Sequence, residues 1–204
     1  MPLSKELEPI VLADIDGLRR AEAQYGSSWK QRGGVGAFMM LARKWDRILR
    51  RISQPTQHVE FPVPDDLREQ GVTDVRPMVQ WDLVMHAYTD RRAEGIIDDI
   101  RDLRRYLLLV LSHRLSPQDH MKQLDWAARE AALNASHDTF SLRGTLFLSM
   151  RVIHRWDKME AAAKAANWDV FVIDDTEIWS LASSLYLVEA AIRTMVKHDE
   201  VKKD

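Results

Sequence analysis

The segment YGSSWKQRGGVGAFMMLARKWDRI, Tyr25 to Ile48, points to the fold because a similar segment returns later in the chain. The second copy, SHDTFSLRGTLFLSMRVIHRWDKM, runs from Ser136 to Met159, at a constant offset of 111 residues and without a gap. Arg-Gly, a methionine and a Trp-Asp-basic triplet recur at matching positions. Chance similarity between two amphipathic helices explains the apolar matches but poorly explains these polar ones. We therefore expect an internal duplication.

The apolar spacing around both copies is helical. After Gly34 the apolar residues recur every three or four positions, which predicts one buried helical face. That face would hold Val35, Phe38, Met39, Ala42, Trp45, Leu49 and Ile52. Further helices are expected near residues 8–24, 90–112, 116–133, 139–166 and 175–198, and no segment alternates as a strand does. The predicted fold class is all-α, a helical bundle.

Prolines interrupt the helical pattern between residues 53 and 90. Because proline is poorly tolerated inside a helix, we predict an excursion there, with a short helix near 78–87. It would lie outside the bundle as a lid or as a contact in a homo-oligomer. Residues 1–112 would form a first repeat and 113–204 a second, degenerate one. Neither half can bury its apolar stripe alone, so both are expected to form one compact domain.

The amino-acid composition excludes several classes of functional site. The 204 residues carry a net charge of −2 and include no cysteine, which excludes disulfides, zinc–thiolate sites and cysteine nucleophiles. Nothing in the charge total directly signals a nucleic-acid partner. The N-terminal segment contains acidic residues, unlike a signal peptide, and the apolar runs are too short to cross a bilayer. We expect a cytoplasmic protein without a membrane partner.

The sharpest chemical signal is the segment AEGIIDDIRDLRRYLLLVL. Glu94, Asp98 and Asp102 are spaced four residues apart on one helical face, and Asp99 flanks them. Like charges at this spacing repel, and Mg²⁺ or Mn²⁺ would neutralise them. These residues are the candidate metal ligands, and the first three are the candidate catalytic groups. A solvated acidic face remains an alternative, as do ion pairs with Arg101, Arg104 and Arg105.

The second half does not keep this acidic stripe. Aligning Tyr106 with Tyr186 places Ile178 and Ala182 at two of the acidic positions. A metal site would therefore occur once per chain.

Basic and aromatic residues of the first copy are candidate substrate contacts. Arg32, Lys44 and Arg47 suit phosphate oxygens, since arginine binds them in a bidentate manner and lysine acts as a point charge. The glycines at 33, 34 and 36 allow close approach at a helix start, where N–H groups favour an anion. Trp29 is either a core residue or a platform for a base. For the basic residues, the alternative is a solvated helix flank.

Three motifs together resemble a nucleotide-modification-associated helical family of phages and bacteria. They are Tyr25-Gly26-Ser27, Lys44-Trp45-Asp46-Arg47 and Glu94-x3-Asp98-x3-Asp102-Leu103-x-x-Tyr106. The resemblance covers about residues 20–110 and adds Tyr25 to the substrate contacts. That family is similar to the all-α nucleoside triphosphate pyrophosphatases, the MazG and dimeric dUTPase group.

The resemblance implies a helical bundle that uses Mg²⁺ on helix-borne carboxylates to release pyrophosphate from a nucleotide, a deoxynucleoside triphosphate among the candidates. It implies a role in nucleotide metabolism or DNA base modification, in the host cytoplasm if the chain is phage-encoded. The pyrophosphatases usually carry a second acidic pair on the preceding helix, where this chain offers only Asp46. Whether the chain is an enzyme stays open, and the alternative is a non-catalytic all-helical binding or assembly module.

Overall fold

The computed structural model describes residues 3–53, 81–90, 92, 94–135 and 142–201, and in these ranges it is helical with no strand. Across them the helices are α1 (Glu8–Tyr25), α2 (Gly33–Ile52), α3 (Leu83–Thr89), α4 (Ile96–Leu115), α5 (His120–Leu133), α6 (Leu142–Ala165) and α7 (Asp175–Val201). A 3₁₀ turn, Ser28–Lys30, joins α1 to α2. The predicted all-α class is confirmed. No helix in the described ranges combines the length and apolar character needed to cross a membrane.

Helices α4 and α7 pack together at the centre of the bundle. Every residue from Leu107 to Leu111 is buried, and so is every residue from Leu181 to Ile192. Helix α2 lies along α4, and α6 lies along α7. One apolar core includes residues from Leu7 to Ile192, so both predicted halves contribute to it.

The matched tryptophans of the two sequence copies meet in this core. Trp45 of α2 stacks on Trp156 of α6 with ring centroids 5.0 Å apart and planes inclined by 17°. Each side chain is only 2% exposed. Part of the second copy, residues 136–141, lies outside the described residues. The superposition of 25–48 on 136–159, and with it the duplication, stays a prediction.

The buried face of α2 differs from the predicted one. Val35 and Met39 are 44% and 50% exposed. Phe38, Trp45 and Ile52 are buried as predicted, and Ala42 and Leu49 are half-buried against the core. The face also buries Ala37, Leu41 and Ile48, which the prediction left out. The apolar arc of α2 is wider than the surface that its neighbours cover, so periodicity alone could not locate its centre.

The start of α2 is held close to the second half. The chain enters the helix through Gly33, whose φ of 66° favours glycine. A Cβ on Gly34 would overlap the Asp169 carboxylate and lie 2.9 Å from the Phe171 amide nitrogen. A carboxylate of the chain itself therefore lies against the helix start for which the glycines predicted an external anion.

The predicted excursion is wrong for the part that the structure describes. In α3, Leu83 and Val84 are fully buried, and the helix packs on α6 and α7. The sequence predicted a short helix near 78–87, but not its packing in the core, because seven residues are too few to define a buried face by periodicity. Residues 54–80 lie outside the described residues.

The cap of α3 ties it to α6. Asp82 is fully buried, and its carboxylate accepts hydrogen bonds from Val84 N–H at 3.0 Å and Met85 N–H at 3.1 Å. The hydroxyls of Thr145 and Ser149 donate to it at 2.7 Å and 3.2 Å. Burial raises the pKa of Asp82 even though these bonds favour the charged form. Helix α3 is therefore anchored through a polar contact as well as apolar ones.

Candidate functional site

The acidic face of α4 lies against the basic flank of α2. Asp99 is only 2% exposed, and two arginines of α2 pair with it. Arg47 Nε lies 3.1 Å from Oδ1, and Arg51 Nη1 lies 3.0 Å from Oδ2. A predicted metal ligand and a predicted phosphate contact are thus partners of each other.

Asp102 forms the next pair along this interface. Its Oδ2 accepts a hydrogen bond from Lys44 Nζ at 2.6 Å, and Arg105 Nη1 lies 3.8 Å from its Oδ1. The Lys44 side chain is 15% exposed and that of Asp102 is 39% exposed, so the pair sits at the edge of the packed region. Two more of the predicted site residues therefore neutralise each other.

The remaining acids lie near the N-terminus of α4. Glu94 is 87% exposed, with Arg47 Nη2 3.8 Å away. Asp98 Oδ2 accepts the Gly95 N–H at 3.1 Å, and its Oδ1 lies 3.4 Å from Arg101 Nη1. A carboxylate at a helix N-terminus binds its unpaired N–H groups and is stabilised by the helix dipole. Asp98 thus has a structural role in starting α4.

Each of the four acids of the stripe accordingly has a basic side chain within 4 Å. Among the described residues, no three histidine, aspartate or glutamate side chains are grouped so that they could hold a metal ion. The four carboxylates share Arg47, Arg51, Lys44, Arg101 and Arg105 as partners. The Mg²⁺ site stays a prediction from the sequence.

A second ion-pair network, centred on Arg104, joins α1, α4 and α7. The Arg104 guanidinium is 1% exposed and donates to Asp14 Oδ2 at 2.6 Å and to Glu189 Oε2 at 2.8 Å. Its Cζ also lies 4.4 Å from the centre of the Tyr186 ring. Burial opposes ionisation of Glu189, but Arg104 and Arg101 outweigh it and lower the pKa of Glu189 to about 2.

Sequence reasoning missed Asp14 and Glu189. Both carboxylates are 1% exposed. The sequence contains features that could have identified these two buried acids. Asp14 interrupts the apolar face of α1, and Glu189 interrupts the apolar run SLYLVEAAI. A lone acid on a buried face needs a cation, and three arginines of α4 were available to supply it. Arg105 and Arg101 indeed also pair with these two acids, at 3.1 Å and 3.0 Å.

A cleft opens beside the Asp102 end of the acidic face. Its volume is about 240 Å³, and it lies between α1, the 3₁₀ turn and α4. The polar and aromatic side chains that line it include those of Glu22, Tyr25, Trp29, Asp102, Arg105 and Tyr106. An adjoining cleft of about 460 Å³ shares Trp29 and Tyr106 and adds Arg32. We call the two together the α1–α4 cleft.

The α1–α4 cleft brings four predicted site residues together: Tyr25, Trp29, Arg32 and Asp102. Lys44 reaches it through its bond to Asp102. Arg47, Asp99, Glu94 and Asp98 do not line it. Burial and the Asp102 carboxylate raise the pKa of Tyr106, which keeps its hydroxyl protonated as a donor.

Trp29 takes part in the core as well as in the cleft. Its ring lies in edge contact with His113, His120 and Phe171 at centroid distances of 5.9, 5.7 and 6.0 Å. The side chain is 8% exposed, so only a small part of it is accessible from the cleft. Burial and the nearby Lys30 lower the pKa of His120, so this cluster is uncharged at neutral pH. Tyr25, at 65% exposure, is the accessible aromatic surface.

No protein-family model, curated protein or solved structure matches this chain.

Proposed function

We propose that the chain is an all-helical nucleotide-binding protein whose ligand occupies the α1–α4 cleft. The observation that carries the proposal is the convergence of Tyr25, Arg32 and Asp102 on that cleft. The sequence predicts Tyr25 and Arg32 as substrate contacts and Asp102 as a metal ligand and catalytic group, and Asp102 lies far from the other two in the sequence. The resemblance to a nucleotide-handling family supplies the ligand class.

The cleft contains the groups that a nucleotide needs. Exposed Tyr25 and half-buried Tyr106 offer aromatic surface to a base. Arg32 and Arg105 offer guanidinium groups to phosphate oxygens. Asp102 opposes an anion, but it pairs with Lys44. Glu22 also lines the cleft, and Arg105 already pairs with Asp14. Arg32, which has no acidic partner within 4 Å among the described residues, is therefore the group best placed to receive a phosphate.

Binding without catalysis is the form of this function that the ion pairs favour. A metal-dependent hydrolase needs carboxylates that a cation can approach, whereas Asp99 is buried between Arg47 and Arg51. Recruiting a metal there would strand two arginines inside the interface between α2 and α4. We therefore place the function closer to a helical binding module than to an enzyme.

Nucleoside triphosphate pyrophosphohydrolysis is the second candidate, and one observation favours it. Asp102 lines the cleft and also belongs to the acidic face of α4. A triphosphate bound in the cleft would lie next to a carboxylate that is 39% exposed. In that case Lys44 would leave Asp102 for the phosphate when the ligand binds.

Isothermal titration with a panel of nucleoside mono- and triphosphates, in EDTA and in MgCl₂, tests the proposal. We expect binding in both buffers and no release of pyrophosphate. Arg32→Gln should weaken binding about tenfold, since a charge-assisted hydrogen bond contributes about 1.5–3 kcal/mol. Arg20→Gln is the matched control, because Arg20 pairs with Asp16 on the exposed side of α1. If no nucleotide binds in EDTA or in MgCl₂, the proposed function is refuted. Release of pyrophosphate would instead favour nucleoside triphosphate pyrophosphohydrolysis.

A further inference from the structure

A pocket in the second half of the chain lies between α5, α6 and α7. Its volume is about 460 Å³. The side chains that matter for its chemistry are those of Trp126, Glu130, Arg151, Arg155, Trp179 and Ser183. None of the residues discussed for the α1–α4 cleft contributes to it. We call it the α5–α7 pocket.

In the predicted repeat, Arg155 of this pocket is the sequence counterpart of Lys44 in the first half. Arg155 follows Lys44 by the offset of 111 that relates the two sequence copies. Aligning Tyr106 with Tyr186 sets Asp102 against Ala182 and Asp99 against Trp179. The second half therefore keeps a cation on α6 but lacks the acids on α7 that would neutralise it.

The surroundings of Arg155 leave part of its hydrogen-bonding capacity unused. Its Nε is buried and has no hydrogen-bond partner among the described residues. A ligand oxygen at the Arg155 guanidinium would supply a partner that the described residues do not. Arg151 and the carboxylate of Glu130 also line the pocket. Arg155 is therefore the group to which we assign the anion.

Aromatic surface lies at the rim of the same pocket. Trp126 and Trp179 meet edge to face, with ring centroids 5.6 Å apart and planes inclined by 89°. Trp126 is 49% exposed, so much of its ring is accessible to a ligand. An indole held at a pocket mouth is a surface on which a flat ring can pack.

We propose that the α5–α7 pocket binds an anion attached to a flat ring, with the anion on Arg155 and the ring against Trp126 and Trp179. The second half is then a ligand site in its own right, separate from the α1–α4 cleft. A compound with a phosphate or carboxylate group and an aromatic base or ring has the required chemistry. This proposal does not depend on the function proposed for the first half.

The test uses the full chain and follows the indole N–H signals of Trp126 and Trp179 by ¹H–¹⁵N NMR. Trp126→Phe and Trp179→Phe assign the two signals. The probes are AMP, adenosine and inorganic phosphate. We expect AMP to shift both signals at lower concentration than either fragment does. Arg155→Gln should weaken AMP binding, read at these signals, by about tenfold or more.

Lys158→Gln is the matched control, because it removes one charge from an exposed position of the same helix and should change the affinity less than twofold. Trp126→Leu, at a half-exposed position, should weaken AMP and adenosine but not phosphate. Equal binding of adenosine and AMP would overturn the anion site, and equal binding of phosphate and AMP would overturn the ring site. Unmoved Trp126 and Trp179 signals with all three probes would overturn the whole proposal, whatever happens in the α1–α4 cleft.

Discussion

At the scale of single residues, the arginines of α4 decide how the acidic helix behaves. Arg104 is turned into the core, where it neutralises one acid from α1 and one from α7. Removing one partner from a buried ion pair is costly, because an uncompensated charge is left in a region of low polarity. The surface pairs of the same chain contribute far less, since water already screens them.

Arg104→Ala should therefore lower the free energy of unfolding by about 3–5 kcal/mol, since it leaves Asp14 and Glu189 without their shared partner. Urea denaturation measures this change. Arg20→Ala is the control and should cost less than about 1 kcal/mol, because the Arg20 and Asp16 side chains are 75% and 63% exposed. Similar effects of the two substitutions would contradict the assignment of Arg104 as a buried anchor.

At the scale of helices, the sequence predicted which segments are helical better than it predicted how those helices pack. The six long helices follow from apolar periodicity and from start and stop residues such as Pro9 and Gly26. The partner of each charge could not be predicted, because Lys44 and Asp102, like Arg104 and Asp14, meet only when separate helices pack. The sequence could therefore identify the candidate site residues, but it could not show that they pair with one another.

Helix α3 provides a test at this scale. Leu83→Ala should lower the free energy of unfolding by about 2–5 kcal/mol, because it removes a fully buried side chain between α3 and the α6–α7 pair. Trp81→Ala is the control, since Trp81 is 41% exposed just before the same helix. Chemical denaturation of both variants decides the point. A Leu83→Ala protein as stable as its parent would restore the view of this segment as a peripheral excursion.

At the scale of the whole molecule, the paired carboxylates make stability depend on pH. The pKa of Glu189 is about 2 in the folded chain, below its ordinary value of 4.5. Asp90 also has a pKa of about 2. Burial raises this pKa, but the bonds from Arg92 and from the Ile96 N–H lower it by more. Between pH 2 and 4.5 the unfolded chain binds more protons than the folded one, so stability rises with pH in this window.

We predict that the stability contribution of Glu189, on the order of 3 kcal/mol, is complete above pH 4.5 and is lost as pH falls through 2. Urea unfolding at a series of acidic pH values measures the slope. Glu189→Gln should be less stable at neutral pH and should show a shallower loss on acidification. A variant with the same slope as the parent would show that other groups govern the acid transition.

Basic side chains of the chain itself neutralise the acidic face of α4. Thermal melts of the parent and of Asp99→Asn, each in EDTA and in excess MgCl₂, test this neutralisation. We predict that Asp99→Asn melts about 6–20 °C lower, from a loss of about 3–5 kcal/mol, because Arg47 and Arg51 lose their buried partner. We also predict that Mg²⁺ leaves the melting temperature of the parent unchanged. A parent stabilised by Mg²⁺, by about 2.7 kcal/mol at a hundredfold excess over the dissociation constant, together with a variant at least as stable as the parent in EDTA, would contradict it.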